Sequence, residues 1–381
     1  MHRLTRGTAA ALLGLSLALL GSGATHAAPA PAGAAEHVRL ELPQPTGPMA
    51  VGRDTLHLVD PSRPDPWTPQ AGARELMVSL YYPARAGHGR TAPYMTTGEA
   101  QAFLTDRGLA EAVSARTLAG TRTHARTGAP PVRGTFPLVV LSPGFTVNRS
   151  TLTLLAEELA SRGYVVASVD HAYESVGTAF PGGRLLTCAA CEQAPVTGYA
   201  HVARGRARDV SFLLDRLTDA RDPAWRHAGL IDPARIGMAG HSIGGASAVP
   251  AMAGDRRIRA GADLDGGLFG LVPDGGLDGR PFLLVGADGE DQSSWVEGWP
   301  RLDGWKRWLK VAGSGHFTFT DVPVLGDQLG LLPPEEPLSG ERSQQITRAY
   351  LGAFLDLHLK GTAQPLLDGP SPEHPEVAFR G

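Results

Sequence analysis

The chain has 381 residues, with 38 acidic against 35 basic side chains, a formal net charge of −3 and 42% hydrophobic content. That balance suits an ordinary globular protein of one large or two smaller domains. Lysine occurs only as Lys306, Lys310 and Lys360, and the arginines are scattered, so no basic patch points to nucleic acid as a partner.

The first 27 residues read as a signal peptide. Arg3 and Arg6 form a basic start, and residues 8–20 are an apolar run too short to span a bilayer. Thr25-His26-Ala27 offers a small-residue cleavage site. No cysteine follows the run and the two arginines are not adjacent, so neither a lipid anchor nor twin-arginine export is expected. Residues 28–37, rich in alanine, proline and glycine, read as a flexible linker. Residues 28–381 then form one secreted domain.

Val38, Leu40 and Leu42 alternate with charged residues and predict a first strand. Residues 60–69 are a proline-rich connection, and 74–82 predict a second strand closed by Pro83. Residues 87–131 carry no strand signal. Within them, 99–118 predict a helix with Phe103, Leu104 and Leu109 on one side, either covering an active site or lying plainly on the surface. Residues 137–142 are a continuous apolar run, the mark of a strand buried on both faces. A helix follows, with Ser150 or Thr151 as N-cap, Leu152, Leu155, Ala156 and Leu159 at helical spacing, and Gly163 as C-cap. Residues 164–169 are the next buried strand, and Val210, Leu213, Leu214 and Leu217 mark a helical stripe.

Cys188 and Cys191 are the only cysteines. In an oxidising compartment, with no second pair of metal ligands near, they read as a small-loop disulfide without a chemical role.

The run 235–239 predicts a short buried strand, followed by Gly240-His241-Ser242-Ile243-Gly244-Gly245 and a small-residue stretch, 246–252, able to open a helix. Strand, G-x-S-x-G, helix is the setting of a nucleophile elbow, in which a serine sits on a strained turn. Further strands are predicted at 258–264, 281–285 and 308–311. Ile346, Tyr350, Ala353, Phe354 and Leu357 mark a final amphipathic helix running to Lys360 and Gly361. Strands alternating with helices predict an α/β class, a mostly parallel central sheet with helices on both faces.

In such sheets functional residues gather at the carboxyl ends of strands. Ser242 follows one strand as candidate nucleophile. His316, in Gly313-Ser314-Gly315-His316 after the last strand, can reach back as its base. His241 lies inside the elbow and cannot fold back in that role. Two aspartates, Asp265 and Asp288, end strands and keep the order Ser…Asp…His. The local sequence favours Asp265, which precedes Gly266-Gly267-Leu268-Phe269 and needs a specific partner in so apolar a setting. Glu290 and Asp291 beside Asp288 should raise its pKa. For a tetrahedral intermediate, the N–H of Ile243 is one candidate donor. Phe145 N–H is the second, because Pro143 in Ser142-Pro143-Gly144-Phe145 has none.

These stretches together resemble the plasma-type (isoform II) platelet-activating-factor acetylhydrolases. The resemblance is carried by residues 74–83, 138–145, 165–171, 240–245, 264–265 and 313–316. It implies an α/β-hydrolase fold and a serine esterase, free of metal and cofactor, acting on short or oxidised acyl groups of phospholipids. It also implies Ser242, Asp265 and His316 as triad, with Phe145 and Ile243 as oxyanion donors. Bacterial polyester-hydrolase and cutinase-like enzymes share the elbow, and there the acid lies where Asp288 does. The chain also carries Pro143 where the animal acetylhydrolases carry histidine. The alternatives are therefore a polyester or general short-chain esterase, and a non-catalytic binding module. A lipid or small-molecule ester is the expected partner, with transient contact to a lipid surface. Trp295 and Trp299 are expected to wall a small acyl pocket after 281–285.

Overall fold

A computed structural model describes residues 38–380. The expected signal peptide and linker, residues 1–37, lie outside the described residues. The main sheet is built from β1 (Ala50–Pro64), β2 (Ala73–Ala84), β3 (Phe136–Ser142), β4 (Val165–His171), β5 (Ile231–His241), β6 (Ile258–Leu264), β7 (Phe282–Gly286), β8 (Lys306–Val311) and β9 (Val377–Phe379). Their spatial order is β9-β8-β7-β6-β5-β3-β4-β2-β1, with two-residue strands extending the β1 edge. The run from β4 through β8 is parallel. β2 is antiparallel to both β1 and β4, and β9 to β8.

The continuous apolar runs explain the sheet's central position. Along β3, Leu138 and Val140 face one core while Val139 and Leu141 face the other, all four fully buried. Side chains of a strand alternate between faces, so a strand covered on both sides needs apolar residues throughout. The first core is closed by α3 (Tyr199–Thr218) and α5 (Ala248–Gly254). The second is closed by α2 (Thr153–Ser161) and α6 (Gly340–Lys360), through Leu155, Leu159, Tyr350 and Phe354. Each fully buried leucine or phenylalanine contributes about 1.5–3 kcal/mol. Ser339 caps α6 through Arg342 N–H, and Gly361 ends it in the left-handed conformation (φ 71°).

Several expectations change. The strand expected over 38–42 is a single bridge, Glu41 to Arg122, although Leu40 and Leu42 are buried. The proline-rich connection at 60–69 contains the end of β1, a 15-residue strand. The helix expected over 99–118 is two, α1 (Thr97–Asp106) and a short helix at Ala115–Ala119. A capping box between Thr96 and Glu99 sets where α1 starts. The helix after β3 begins with a 3-10 turn, Arg149–Leu152, capped by Asn148 instead of Ser150 or Thr151. Cys188 and Cys191 are joined in a disulfide.

Candidate active site

Four loops at the carboxyl ends of β3, β5, β6 and β8 meet above the sheet. The elbow follows β5, where α4 (Ile243–Ala246) begins. Ser242 has φ 55° and ψ −128°, a region non-glycine residues avoid and that surrounding contacts must enforce. Those contacts leave no room for side chains at two of the motif's glycines. A Cβ on Gly240 would lie 2.4 Å from Gly244 C, and one on Gly244 would lie 2.0 Å from Ser142 O. Ser242 N–H donates to Leu264 O at 2.8 Å, which ties the elbow to the end of β6.

His316 reaches back from the loop after β8. Its Nε2 lies 3.0 Å from Ser242 Oγ, and its Nδ1 lies 2.6 Å from Asp265 Oδ2. The other carboxylate oxygen of Asp265 accepts from Ala287 N–H at 2.8 Å, so both oxygens are engaged and the carboxylate is fixed in direction. An anion at Nδ1 keeps the proton there and leaves Nε2 free to accept from the serine hydroxyl.

Asp288 is not part of this hydrogen-bonded series. It is exposed, and its two oxygens accept from Gly289 N–H at 2.8 Å and Gly313 N–H at 2.7 Å. The expected rise in its pKa is reversed, because the Gly313 and then the Gly289 amides stabilise the anion. Asp288 thus pins the start of the loop that carries His316.

Phe145 N–H and Ile243 N–H have no protein acceptor among the described residues. Ile243 opens α4, where first-turn amides lack intrahelical partners. Both residues line the cleft around Ser242, which has a volume of about 420 Å³.

The cleft holds residues that no sequence motif marked. Phe145 and Tyr199 meet edge to face with centroids 5.7 Å apart, and Tyr199 stacks on Phe269 at 6.1 Å. On the cleft wall Arg107, just past α1, lies over the Phe317 ring at 4.7 Å and donates to Thr146 Oγ1 at 3.1 Å. Part of the 87–131 insertion therefore reaches the site. Trp295 and Trp299 do not. Trp295 is buried edge to face against Trp308 at 5.6 Å, and neither tryptophan lines the cleft. Among the described residues, no group of three or more His, Cys, Asp or Glu side chains is placed to hold a metal ion.

His241 also has a place. It is buried under the loop that carries His316, with Nε2 2.7 Å from His316 O and its ring 4.7 Å from the His316 ring. Burial, with the nearby His316, pushes its pKa down to about 3. Burial pushes His358 down to about 4. An unfolded histidine titrates near 6.5, so between that pH and about 4 the unfolded chain binds protons that the folded chain refuses. The stability these two histidines contribute is therefore full above pH 6.5 and is lost on acidification, by up to ~1.4 kcal/mol per pH unit for the fully buried His241 and by less for the half-buried His358. Buried Asp263 and Asp321, whose carboxyls burial holds well above the usual range, act in the opposite sense, so the histidines are read one by one. By NMR titration of the folded protein the His241 and His358 imidazoles should stay neutral from pH 7 to 5, and protonation of either near pH 6.5 would contradict these assignments.

The strand order, the strained serine after β5 and its hydrogen-bonded histidine define an α/β-hydrolase with the arrangement of a serine esterase. The profile of the family described as platelet-activating factor acetylhydrolase, isoform II, matches residues 34–181. A probable 1-alkyl-2-acetylglycerophosphocholine esterase of Arthroderma benhamiae is 30% identical over 372 residues, covering 89% of this chain and 93% of that one. The solved ferulic acid esterase from Streptomyces cinnamoneus is 46% identical with a TM-score of 0.80, over 90% of this chain and 99% of that one. A bis(hydroxyethyl) terephthalate hydrolase of Streptomyces coelicolor is 30% identical over 157 residues, 41% of each chain. The chain belongs to the isoform II platelet-activating factor acetylhydrolase family, and it is an ester hydrolase.

Proposed function

We propose that the protein cleaves short-chain acyl esters of lipids through an acyl-serine intermediate. The observation that carries the chemistry is the hydrogen-bonded series Ser242 Oγ, His316 and Asp265 Oδ2, with links of 3.0 and 2.6 Å. His316 Nε2 takes the hydroxyl proton as Ser242 Oγ attacks the ester carbonyl carbon. The carbonyl oxygen becomes an anion, stabilised by hydrogen bonds from Phe145 N–H and Ile243 N–H. The intermediate collapses, the carbon–oxygen bond to the alcohol breaks, and His316 returns the proton to that alcohol. A water, deprotonated by the same histidine, then attacks the acyl-serine and releases the acid. Asp265 orients His316 and stabilises its imidazolium form throughout.

The lipid substrate is supported by family membership and by the name of the Arthroderma relative. Transient contact with a lipid surface belongs to the same proposal. Export is supported by the basic and apolar pattern of residues 3–20, which sends the chain out as a secreted domain beginning at Ala28. A second substrate class is favoured by one observation. Phe145, Tyr199 and Phe269 form a continuous aromatic flank beside Ser242, suited to stacking on the ring of an aromatic acid. Two relatives are named for esters of such acids.

The test is a panel of p-nitrophenyl esters of increasing acyl length, a 2-acetyl glycerophospholipid and an aryl-acid methyl ester. Enzyme recovered from culture medium should be used, and its N-terminus should read Ala28. Family membership predicts kcat/KM falling steeply beyond about six carbons, because methylenes that the cleft cannot bury gain nothing. Equal kcat/KM on acetyl and palmitoyl esters would defeat the short-chain assignment. Higher kcat/KM on the aryl-acid ester than on the phospholipid would favour the second class.

A further inference from the structure

Beneath the loop that presents Phe145, a second serine, histidine and aspartate are hydrogen-bonded in series. Ser142 Oγ lies 3.0 Å from His171 Nε2, and His171 Nδ1 lies 2.7 Å from Asp209 Oδ2. All three are essentially without solvent exposure, so no substrate reaches them. Their protonation follows from their partners. Burial opposes ionisation of Asp209, but the Arg74 guanidinium and His171 outweigh it and hold the carboxyl well below the usual range. Burial and the nearby Arg206 keep His171 neutral. A neutral imidazole facing a carboxylate carries its proton on Nδ1, which leaves Nε2 an acceptor. The Ser142 hydroxyl therefore donates to His171, and its oxygen accepts from Arg206 Nη1 at 3.2 Å.

Arg206 connects this series to the loop above. The same Nη1 donates to Pro143 O, while Arg206 Nε donates to Glu174 Oε2 at 2.7 Å. The other oxygen of Glu174 accepts from Arg74 Nη2 and Trp67 Nε1, each at 2.9 Å. Arg74 also donates to Asp65 at 2.8 Å and to Asp209 at 2.7 Å. Arg63 adds a third cation, 2.5 Å from Asp209. Three guanidinium groups thus face the three carboxylates of Asp65, Glu174 and Asp209.

Glu174 holds the loop by its main chain as well. Its carbonyl accepts from Thr146 N–H at 3.0 Å, and Thr146 O accepts from Val176 N–H at 2.8 Å. Thr146 has φ 69°, a conformation that persists where the surroundings over-determine it. Phe145 is therefore bracketed, with the Pro143 carbonyl tied on one side and the Thr146 amide on the other. Its own N–H is left without a protein acceptor among the described residues, and Phe145 lines the cleft around Ser242.

We propose that Arg206 and Glu174, fixed from below by Ser142, His171 and Asp209, are positioning residues that aim Phe145 N–H at the developing oxyanion. The proposal rests on the assignment of Phe145 as an oxyanion donor made above. A donor set in advance costs no reorganisation during the reaction, whereas one on a loose loop must be ordered at each turnover. This assigns a catalytic consequence to a buried charge cluster that would otherwise be core structure alone.

Three variants test it. Ser142→Ala deletes the one hydroxyl that links Arg206 to His171. The double variant Arg206→Met with Glu174→Gln removes both charges together, so that neither is left buried without its partner. Arg206→Lys keeps the charge without the fork. For each, kcat and KM on p-nitrophenyl acetate are measured per active site titrated with a fluorophosphonate, with melting temperature and affinity for a trifluoromethyl ketone alongside. Loss of one oxyanion donor costs about a hundred- to a thousand-fold in kcat, so a loosened donor should cost about ten-fold or more. KM should hold, ketone affinity should fall with kcat, and Arg206→Lys should recover part of the loss. Unchanged kcat per titrated site, with only the melting temperature lowered, would overturn the proposal. Where the double variant does not fold, Ser142→Ala decides alone. Failure of the wild-type protein to react with the fluorophosphonate would instead remove the acyl-serine mechanism, a result visible before any variant is made.

Discussion

Ser242→Ala should leave the chain folded and lower kcat for ester hydrolysis on the order of a million-fold. The size follows from the geometry around the serine. Its hydroxyl is aligned with His316 Nε2 at 3.0 Å, and no other residue sits on a strand-to-helix turn in G-x-S-x-G context. Without that oxygen there is nothing to form the acyl intermediate, and His316 and Asp265 are left without a nucleophile to activate. Residues that act as a unit lose nearly their whole contribution when one is removed, so Ser242→Ala and His316→Ala should cost about as much singly as together. The fold should survive because alanine keeps the Cβ and the φ of 55° is imposed by Gly240, Gly244 and the Leu264 carbonyl, not by the hydroxyl. Retention of even a tenth of the wild-type kcat would place the nucleophile elsewhere.

Asp265→Asn should lower kcat about ten-thousand-fold, the loss seen when a serine protease's orienting aspartate is replaced by asparagine. An amide at that position can present its N–H₂ to His316 Nδ1 and force the proton onto Nε2. That tautomer cannot accept from Ser242. Asp288→Asn is the control with the opposite expectation. Its carboxylate bonds two backbone amides at the head of the His316 loop and touches no ring nitrogen. Asparagine still offers one acceptor, so the variant should keep most of its kcat and lose some loop order, read as a lower melting temperature. Collapse of Asp288→Asn with Asp265→Asn near wild type would exchange their roles.

The legible parts of the molecule are those in which one physical rule acts on contiguous residues. Strands β3 and β7 are continuous apolar runs buried almost throughout, and β4, β5 and β6 carry buried, mostly apolar stretches that stand out from the rest of the chain. Ser242, Asp265 and His316 each follow a strand, so strand ends and side-chain chemistry nominated Ser242 and His316, while Asp265 was preferred to Asp288 only by its apolar neighbours and the family resemblance; hydrogen bonds now join the three. Strand β1 was not legible, because it lies near the sheet edge, pairs antiparallel and alternates with Asp54, His57 and Asp60. Its tail, with Pro61 and Pro64, carries a loop's composition although it continues the strand. The alternation at Val38, Leu40 and Leu42 misled in the opposite direction. Those leucines are buried against Tyr94, Leu104 and Leu118 of the insertion, not by a sheet.

Other features depend on long-range assembly and left no local trace. The aromatic flank joins Phe145, Tyr199 and Phe269 from three separate loops or helix ends. Arg206 and Asp209 sit on the same side of α3 as Val210 and Leu213, where a helical stripe reads as apolar core. Only the positions of Arg74 and Glu174 reveal that this face is charged and paired. Trp295 illustrates the limit from the other side. Its place after the strand at 281–285 suggested a pocket wall, yet its indole completes the core against Trp308.

Acyl-serine catalysis at Ser242 is tested most directly by mass spectrometry of the wild-type protein after a stoichiometric fluorophosphonate. One adduct per chain is expected, carried by the peptide that contains Ser242, with ester hydrolysis lost in proportion to labelling and no adduct on Ser242→Ala. An unlabelled, fully active enzyme, or an adduct on any other serine with Ser242 free, would contradict the mechanism.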